Sequence, residues 1–279
     1  MDRSKLAYAI WPWGTKKPEQ IEKAAKEVAE IGYTQVECTK NVMYTFDWDL
    51  EAYKEVLDRY NVKTISFFFG LGNREADADV FKNLEKELEF AAALDVKRVC
   101  LQGTSFRPDN SKPDDMPQDA LNYELDIINR FANISKDFGI TPCLHPHHNT
   151  WFMFEKEIDY IMANTDPELV KFAPDVAHLI AADADPVKVI RKHADRVGFT
   201  HLKDFPYGTD IGSMGFSRSS KEIYSNFSEL GKGNIDFPEI FKILDSVNYD
   251  GYYCIEQDKA PSSNAESALN NMKYLESIL

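Results

Sequence analysis

Three of the six histidines in this chain of 279 residues fall within four positions, in the run Thr141-Pro-Cys-Leu-His145-Pro-His147-His148-Asn-Thr150. Imidazole is the commonest protein ligand for a catalytic metal, and the one side chain that unperturbed changes charge near neutral pH. Cys143 and Leu144 lead into the histidines, so the stretch predicts a buried strand with its chemistry at the C-terminal tip. Alternation along that strand sets His145 and His147 on one face. His148 falls on the other side or into the following loop and reads as structural. A polar loop can have the same composition, so the reading turns on what the rest of the chain brings to this place.

Three other apolar runs carry chemistry at their tips. Val170 to Pro174 ends in Asp175, Val197 to Leu202 carries His201, and Tyr252 to Ile255 ends in Glu256. Each residue has a bland alternative: Asp175 as a turn cap, His201 as a satisfied core histidine, Glu256 paired with Lys259. Four residues in one geometric role outweigh four separate coincidences. His145 or His147 with Asp175, His201 and Glu256 makes a nitrogen and oxygen donor set for one divalent metal ion. Such a set suits Mn²⁺ or Co²⁺ first, with Zn²⁺ or Fe²⁺ as alternatives, and not Ca²⁺, which prefers oxygens alone.

For those tips to converge, the elements behind them must be parallel strands. Besides the strand that ends at His145, strands are predicted at 5–10, 34–38, 62–69, 96–101, 170–174, 197–202 and 252–255. Helical periodicity lies between them: from Pro18 to a stop at Gly32, then 50–60, 76–94, 117–138 and 155–164. Further helices start at Asp185-Pro186 and Asp236, and the last spans 264–278. Near-continuous apolar strands alternating with helices imply a parallel sheet buried on both faces. Eight such units predict an α/β fold, a single (β/α)8 TIM barrel domain over residues 1–279 with a C-terminal helix and one mouth ringed by strand tips. Residues 103–117 read as loop. The aperiodic stretch 205–230 reads as a lid or insertion.

With 46 acidic and 32 basic residues the formal charge is −14, which argues against a nucleic-acid partner or an anionic membrane surface. A neutral or cationic small molecule fits that field better. No run approaches membrane-spanning length. Cys38, Cys100, Cys143 and Cys254 are isolated within apolar runs, the pattern of buried strand thiols in a cytoplasmic protein. A homo-oligomer is compatible with the composition.

Asp175-Val-Ala-His178, His201-Leu-Lys-Asp204, Gly231-Lys-Gly233-Asn-Ile-Asp236-Phe-Pro, and Tyr249-Asp-Gly251 leading to Ile255-Glu256-Gln257 resemble, in order and spacing, the xylose-isomerase-like barrels. The His-Pro-His-His-Asn-Thr tip is most similar to that of inosose (2-keto-myo-inositol) dehydratases within that family. The resemblance implies that Asp175, His201 and Glu256 are metal ligands and that His178 contacts substrate. It also sets His145 where epimerases of the family carry a glutamate, one of two that exchange protons across the substrate carbon. With that second base gone, the expectation is a lyase: a metal-dependent dehydratase acting on a polyhydroxy ketone, sugar or cyclitol, through an enolate. A ketose epimerase or isomerase, or a sugar-binding barrel without catalysis, is the alternative. Glu256 or His147 is the expected base, and His178, Lys203 or Asp204 supplies an acid or holds hydroxyls. Glu37 is expected at a substrate hydroxyl or, equally, in a salt bridge with Lys40 or a neighbouring strand. Trp13, with Trp11, Phe67 to Phe69, Trp151 and Phe152, could wall the pocket and stack on a sugar face, though each of these aromatics reads more readily as core. Gly231-Lys-Gly233 reads as a turn.

Overall fold

Leu6–Ala9 (β1) and Gln35–Thr39 (β2) turn successive side chains alternately into and out of the sheet, and both sets are largely buried. That is the property of strands covered on both faces. Six more strands complete the set: Lys63–Gly70 (β3), Arg98–Gln102 (β4), Thr141–His145 (β5), Lys171–Phe172 (β6), Thr200–Leu202 (β7) and Tyr253–Ile255 (β8). The computed structural model describes residues 3–72, 77–105, 107, 112, 114–206 and 220–279, with backbone alone at 77–79 and 220. All eight strands join one sheet in the order β6-β5-β4-β3-β2-β1-β8-β7, and every ladder is parallel. Its two ends meet through isolated bridges, Phe172 to Val197 and Asp175 to His201. The Gly198 N–H donates to the Phe172 carbonyl at 2.9 Å and the His201 N–H to the Pro174 carbonyl at 3.0 Å. The curled sheet is the eight-stranded barrel that the alternation of elements predicts.

Helices clothe it. Pro18–Ile31 (α1) starts with proline in its first turn, buries Ile21, Ala24, Ala25 and Val28, and stops at Gly32. Then come Asn41–Thr45 (α2), Leu50–Asp58 (α3), Asp77–Lys82 (α4), Leu84–Ala93 (α5), Gln118–Lys136 (α6) and Glu155–Ala163 (α7). Val176–Ala181 (α8), Pro186–Lys192 (α9), Ser220–Asn226 (α10), Phe237–Ser246 (α11) and Asn264–Ile278 (α12) lie C-terminal to these. The single helix expected over 76–94 is instead two, broken at Asn83, whose φ of −119° leaves the helical range. Within the stretch expected as a lid, 207–219 lie outside the described residues. Helix α10 occupies its second half, and Ser228 returns to pair with Asp204. In the expected loop 103–117, residues 106, 108–111 and 113 also lie outside the described set.

Large side chains such as Tyr8, Tyr53, Phe67 and Phe131 pack between sheet and helices. The barrel's interior is lined by small ones, Ala7, Ala9, Cys100, Cys143, Ala173 and Cys254, beside Ile65 and Phe199. All four cysteines are buried and free, as their sequence setting predicts. No helix among the described residues is long and apolar enough to cross a membrane.

On α6 the fully buried Glu124 accepts the Thr104 N–H at 3.1 Å to each carboxylate oxygen, and the Thr104 hydroxyl as well. This fixes the chain leaving β4. Burial pushes the carboxyl up to about 7, against the opposing pull of the Thr104 donors. The folded chain therefore keeps a proton that the unfolded chain has already lost above its ordinary carboxyl pKa. Stability is fullest below that value and falls as pH rises toward 7, by on the order of 3 kcal/mol for this site. Glu124→Gln keeps an acceptor and drops the charge, so its melting temperature should vary less between about pH 5 and pH 8 than that of wild type. Parallel melting curves would count against this account.

Candidate metal centre at the strand tips

The inward positions of the last four strands continue past their ends. Cys143 is followed by His145 and His147, Ala173 by Asp175, Phe199 by His201 and Lys203, and Cys254 by Glu256, all at the two-residue spacing of a strand. His145, Asp175 and His201 are fully buried and Glu256 is 5 % exposed. One donor atom from each lies within 4.8 Å of the others.

Asp175 has two tasks. Its Oδ1 caps α8, accepting from the Ala177 N–H at 3.0 Å and the His178 N–H at 2.8 Å, while Oδ2 faces the cluster. The turn cap and the candidate ligand are the same carboxylate. His201 is held from behind: its Nε2 meets Glu37 Oε2 at 2.5 Å, leaving Nδ1 3.0 Å from Glu256 Oε2 and 4.0 Å from Asp175 Oδ2. Burial works against an imidazolium here, yet Glu37 and Glu256 hold His201 well above its ordinary value. His145 is pushed well below its ordinary value by burial and by His201, so it is neutral. Both of its ring nitrogens are buried without a hydrogen-bond partner among the described residues. Leaving a buried polar group unmet costs about 1–3 kcal/mol, and a metal ion would meet one of these nitrogens.

Charge favours an ion as well. Asp175, Glu256 and Asp258 surround the buried ammonium of Lys203, and Glu37 and Glu256 flank the His201 ring, so four acidic side chains face two cationic ones. Lys203 Nζ lies 2.8 Å from Glu256, 3.0 Å from Asp175 and 3.1 Å from Asp258, and those carboxylates hold it well above its ordinary value against the effect of burial. Burial raises and Lys203 and His201 lower the Glu256 carboxyl, which ends well below its ordinary value and is ionised. The donor chemistry, the unmet imidazole and the excess of carboxylate all fit a divalent cation.

Beside the cluster stands a polar wall of His147 and His178, ring centroids 4.3 Å apart. His148 organises both through its backbone: its carbonyl accepts from His147 Nδ1 at 2.9 Å, and its N–H donates to His178 Nδ1 at 3.3 Å. The proton of neutral His147 is therefore on Nδ1, leaving a lone pair on Nε2, and the proton of His178 is on Nε2. Although the nitrogens of His145, His147 and His178 are close enough to hold an ion together, the His178 tautomer turns an N–H and not a lone pair toward it. Burial lowers His147 to about 4 and His178 well below its ordinary value, so both are neutral.

Four expected substrate contacts are placed elsewhere. Glu37 is fully buried and its carboxylate is taken by His201 and by the Ser66 hydroxyl at 2.7 Å. A register shift between Val36 and Glu37 sets Glu37 against Ser66 and produces this. Lys203 has three N–H donors and three carboxylates around them, so it braces the cluster. Asp204 accepts the N–H groups of Phe205 at 2.9 Å, Gly231 at 2.9 Å and Ile235 at 3.3 Å, stapling the Gly231 to Gly233 turn. A Cβ at Gly233 would lie 2.2 Å from that carboxylate, so only glycine fits. Trp13 donates from Nε1 to Glu27 Oε2 at 2.6 Å, in the layer of α1 and away from the mouth. Trp11 stands there instead, 5.9 Å from His201 and 5.7 Å from Phe68 between ring centroids. Sequence reasoning passed over Tyr224 of α10, whose hydroxyl lies 3.4 Å from His147 Nε2. Its aperiodic surroundings carry no signal that would have singled it out.

A family model described as xylose isomerase-like TIM barrel matches residues 25–278. An inosose dehydratase of Clostridium beijerinckii is 28% identical over 278 residues, covering 93% of this chain and 90% of that protein. Among solved structures, a xylose isomerase-like TIM barrel protein from Mycobacterium smegmatis in complex with magnesium superposes with a TM-score of 0.80 at 14% identity, covering 100% of this chain and 98% of that one. The IOLI protein with a bound zinc atom superposes with a TM-score of 0.76 at 14% identity, covering 98% and 97%.

Proposed function

Since the chain belongs to the xylose isomerase-like TIM barrel family, we propose that it is a divalent-metal-dependent dehydratase of a polyhydroxy ketone, with inosose as the first candidate substrate. The observation that carries this reading is His145, with two unmet buried nitrogens, among the donors of Asp175, His201 and Glu256. Likeness to a curated inosose dehydratase along nearly the whole chain supports the substrate class. Mn²⁺ or Co²⁺ suits the donor set, with Zn²⁺ or Fe²⁺ next. When bound, the ion supplies Lewis acidity toward a ketone oxygen.

The residues around it divide the remaining work. Glu256 is an anchored ligand, its Oε2 shared by Lys203 and His201. His147 is the freer base, its Nε2 lone pair committed to no protein cation. His178 Nε2–H holds a substrate hydroxyl, and Trp11 with Phe68 presents an apolar wall to a ring face. With an imidazole in place of a second free carboxylate, one base serves the site. Removing one α-proton suffices for loss of water, whereas epimerisation calls on both faces of the carbon. Four free, buried thiols suit a reducing compartment, and we place the protein in the cytoplasm.

Metal-loaded protein incubated with 2-keto-myo-inositol should yield a product lighter by one water, seen by mass spectrometry. Solvent deuterium entering the substrate without water loss would point to an epimerase or isomerase. Saturable binding without turnover over a panel of ketoses would point to a sugar-binding barrel. Glu37→Gln, which loosens the hold on His201, should weaken metal affinity roughly 10–100-fold in competition with a chelating dye. Unchanged affinity would remove Glu37 from the centre.

A further inference from the structure

Loss of hydroxide from carbon needs a proton donor, and the candidates drawn from sequence are committed elsewhere. Lys203 directs its donors to three carboxylates, and the Asp204 carboxylate accepts backbone N–H groups. His178 has an N–H to offer, but giving it up would leave an imidazolate. Tyr224 does not share these obstacles. Its ring centroid lies 6.1 Å from that of His147, 6.0 Å from His178 and 5.5 Å from Phe227, which places the phenol in the polar wall. Its hydroxyl is 3.4 Å from His147 Nε2. Because His147 Nδ1 donates to the His148 carbonyl, Nε2 is the acceptor in that contact and the phenol the donor.

We propose that Tyr224 is the general acid of the elimination, handing its phenolic proton to the departing hydroxyl and recovering one from His147. This assignment rests on the dehydratase reading above. In the substrate-free protein the two groups face each other across a long contact, and a substrate seated between them would meet both. His147 takes the α-proton reversibly and the C–H electron pair forms the enolate; that pair then becomes the new C=C bond as the ketone re-forms and the C–O pair leaves with oxygen. That oxygen takes the Tyr224 proton and departs as water. The phenolate then takes the proton from the His147 imidazolium, restoring both side chains. The sum is substrate minus water, with no oxidant or reductant. Burial and the nearby Asp258 push the phenol up to about 12, so it is protonated at neutral pH. It remains a stronger acid than water, whose pKa is about 16, so transfer to departing hydroxide runs downhill.

The test is Tyr224→Phe in the metal-loaded, full-length protein with 2-keto-myo-inositol. The expected result is a kcat for water loss lower by roughly 10²–10⁴-fold, with KM and metal content unchanged. Exchange of the substrate α-proton into deuterium oxide should continue, since His147 remains. A substrate analogue carrying fluoride in place of the leaving hydroxyl needs no protonation, so the variant should turn it over at close to the wild-type rate. A variant that dehydrates inosose like wild type overturns the assignment while leaving the dehydratase reading intact. So does one that loses exchange and bound metal together, which would make Tyr224 structural. Wild-type protein that neither exchanges nor eliminates overturns both.

Discussion

His201→Ala is expected to leave the purified protein without its divalent ion and to lower kcat/KM for inosose dehydration by roughly 10³-fold or more. His201 presents Nδ1 to the cluster only because Nε2 is tied to Glu37 at 2.5 Å, so removing the ring takes a nitrogen ligand from the set and leaves Asp175 and Glu256 bridged by the Lys203 ammonium alone. Metal content by elemental analysis and rates by product formation read the two consequences separately. A companion pair sharpens the result. His145→Ala should lose the ion, because its nitrogens have no other partner among the described residues. His147→Ala should keep the ion but lose exchange of the substrate α-proton. Metal-free protein with full activity would sink the reading, and ion loss confined to His147→Ala would exchange the roles of the two histidines.

The second large effect is expected at Lys203. Its ammonium is fully buried, and Asp175, Glu256 and Asp258 converge on it. Lys203→Met keeps much of the stem's volume but leaves Asp258 without its cation and Asp175 and Glu256 with His201 alone. Breaking a buried pair from one side costs about 3–5 kcal/mol, so the metal-free variant should melt well below metal-free wild type. Adding the ion should then raise the variant's melting temperature by more than it raises that of wild type, because the ion would replace charge that wild type already carries. Calorimetry with and without chelator checks this. Equal metal-induced shifts in the two proteins would mean that Lys203 and the ion do not share the same carboxylates.

The fold was readable because buried parallel strands and amphipathic helices have different periods, and because the last four strands carry distinct polar residues at their tips. Asp175, His201 and Glu256 stood out for that reason. Parity along β5 likewise placed His145 and His147 on one side, and their ring centroids are 5.7 Å apart. Residues whose partners lie far along the chain were harder to read. Glu37 owes its direction to a register shift against β3, which no local pattern announces. Asp204 binds amides of a turn beginning 27 positions later. Trp13 was misplaced because residues 11–13 form a tight 3₁₀ turn, which sends one tryptophan to the mouth and the other toward α1. Tyr224 sits on a helix of seven residues, too short to leave a periodic trace.

The barrel closes where its hydrogen bonding is thinnest. Neighbouring strands elsewhere are joined by ladders, but β6 and β7 are joined by two isolated bridges, one of them between Asp175 and His201. Both residues of that bridge are candidate ligands. An ion shared by them would therefore act as a clasp, joining two ends of the sheet that the backbone alone holds loosely. The ends lie next to each other in space only after the whole sheet has curled, so the clasp would hold back the opening motion that unrolls the barrel. In that sense the protein's chemistry and its mechanical closure would depend on the same atoms.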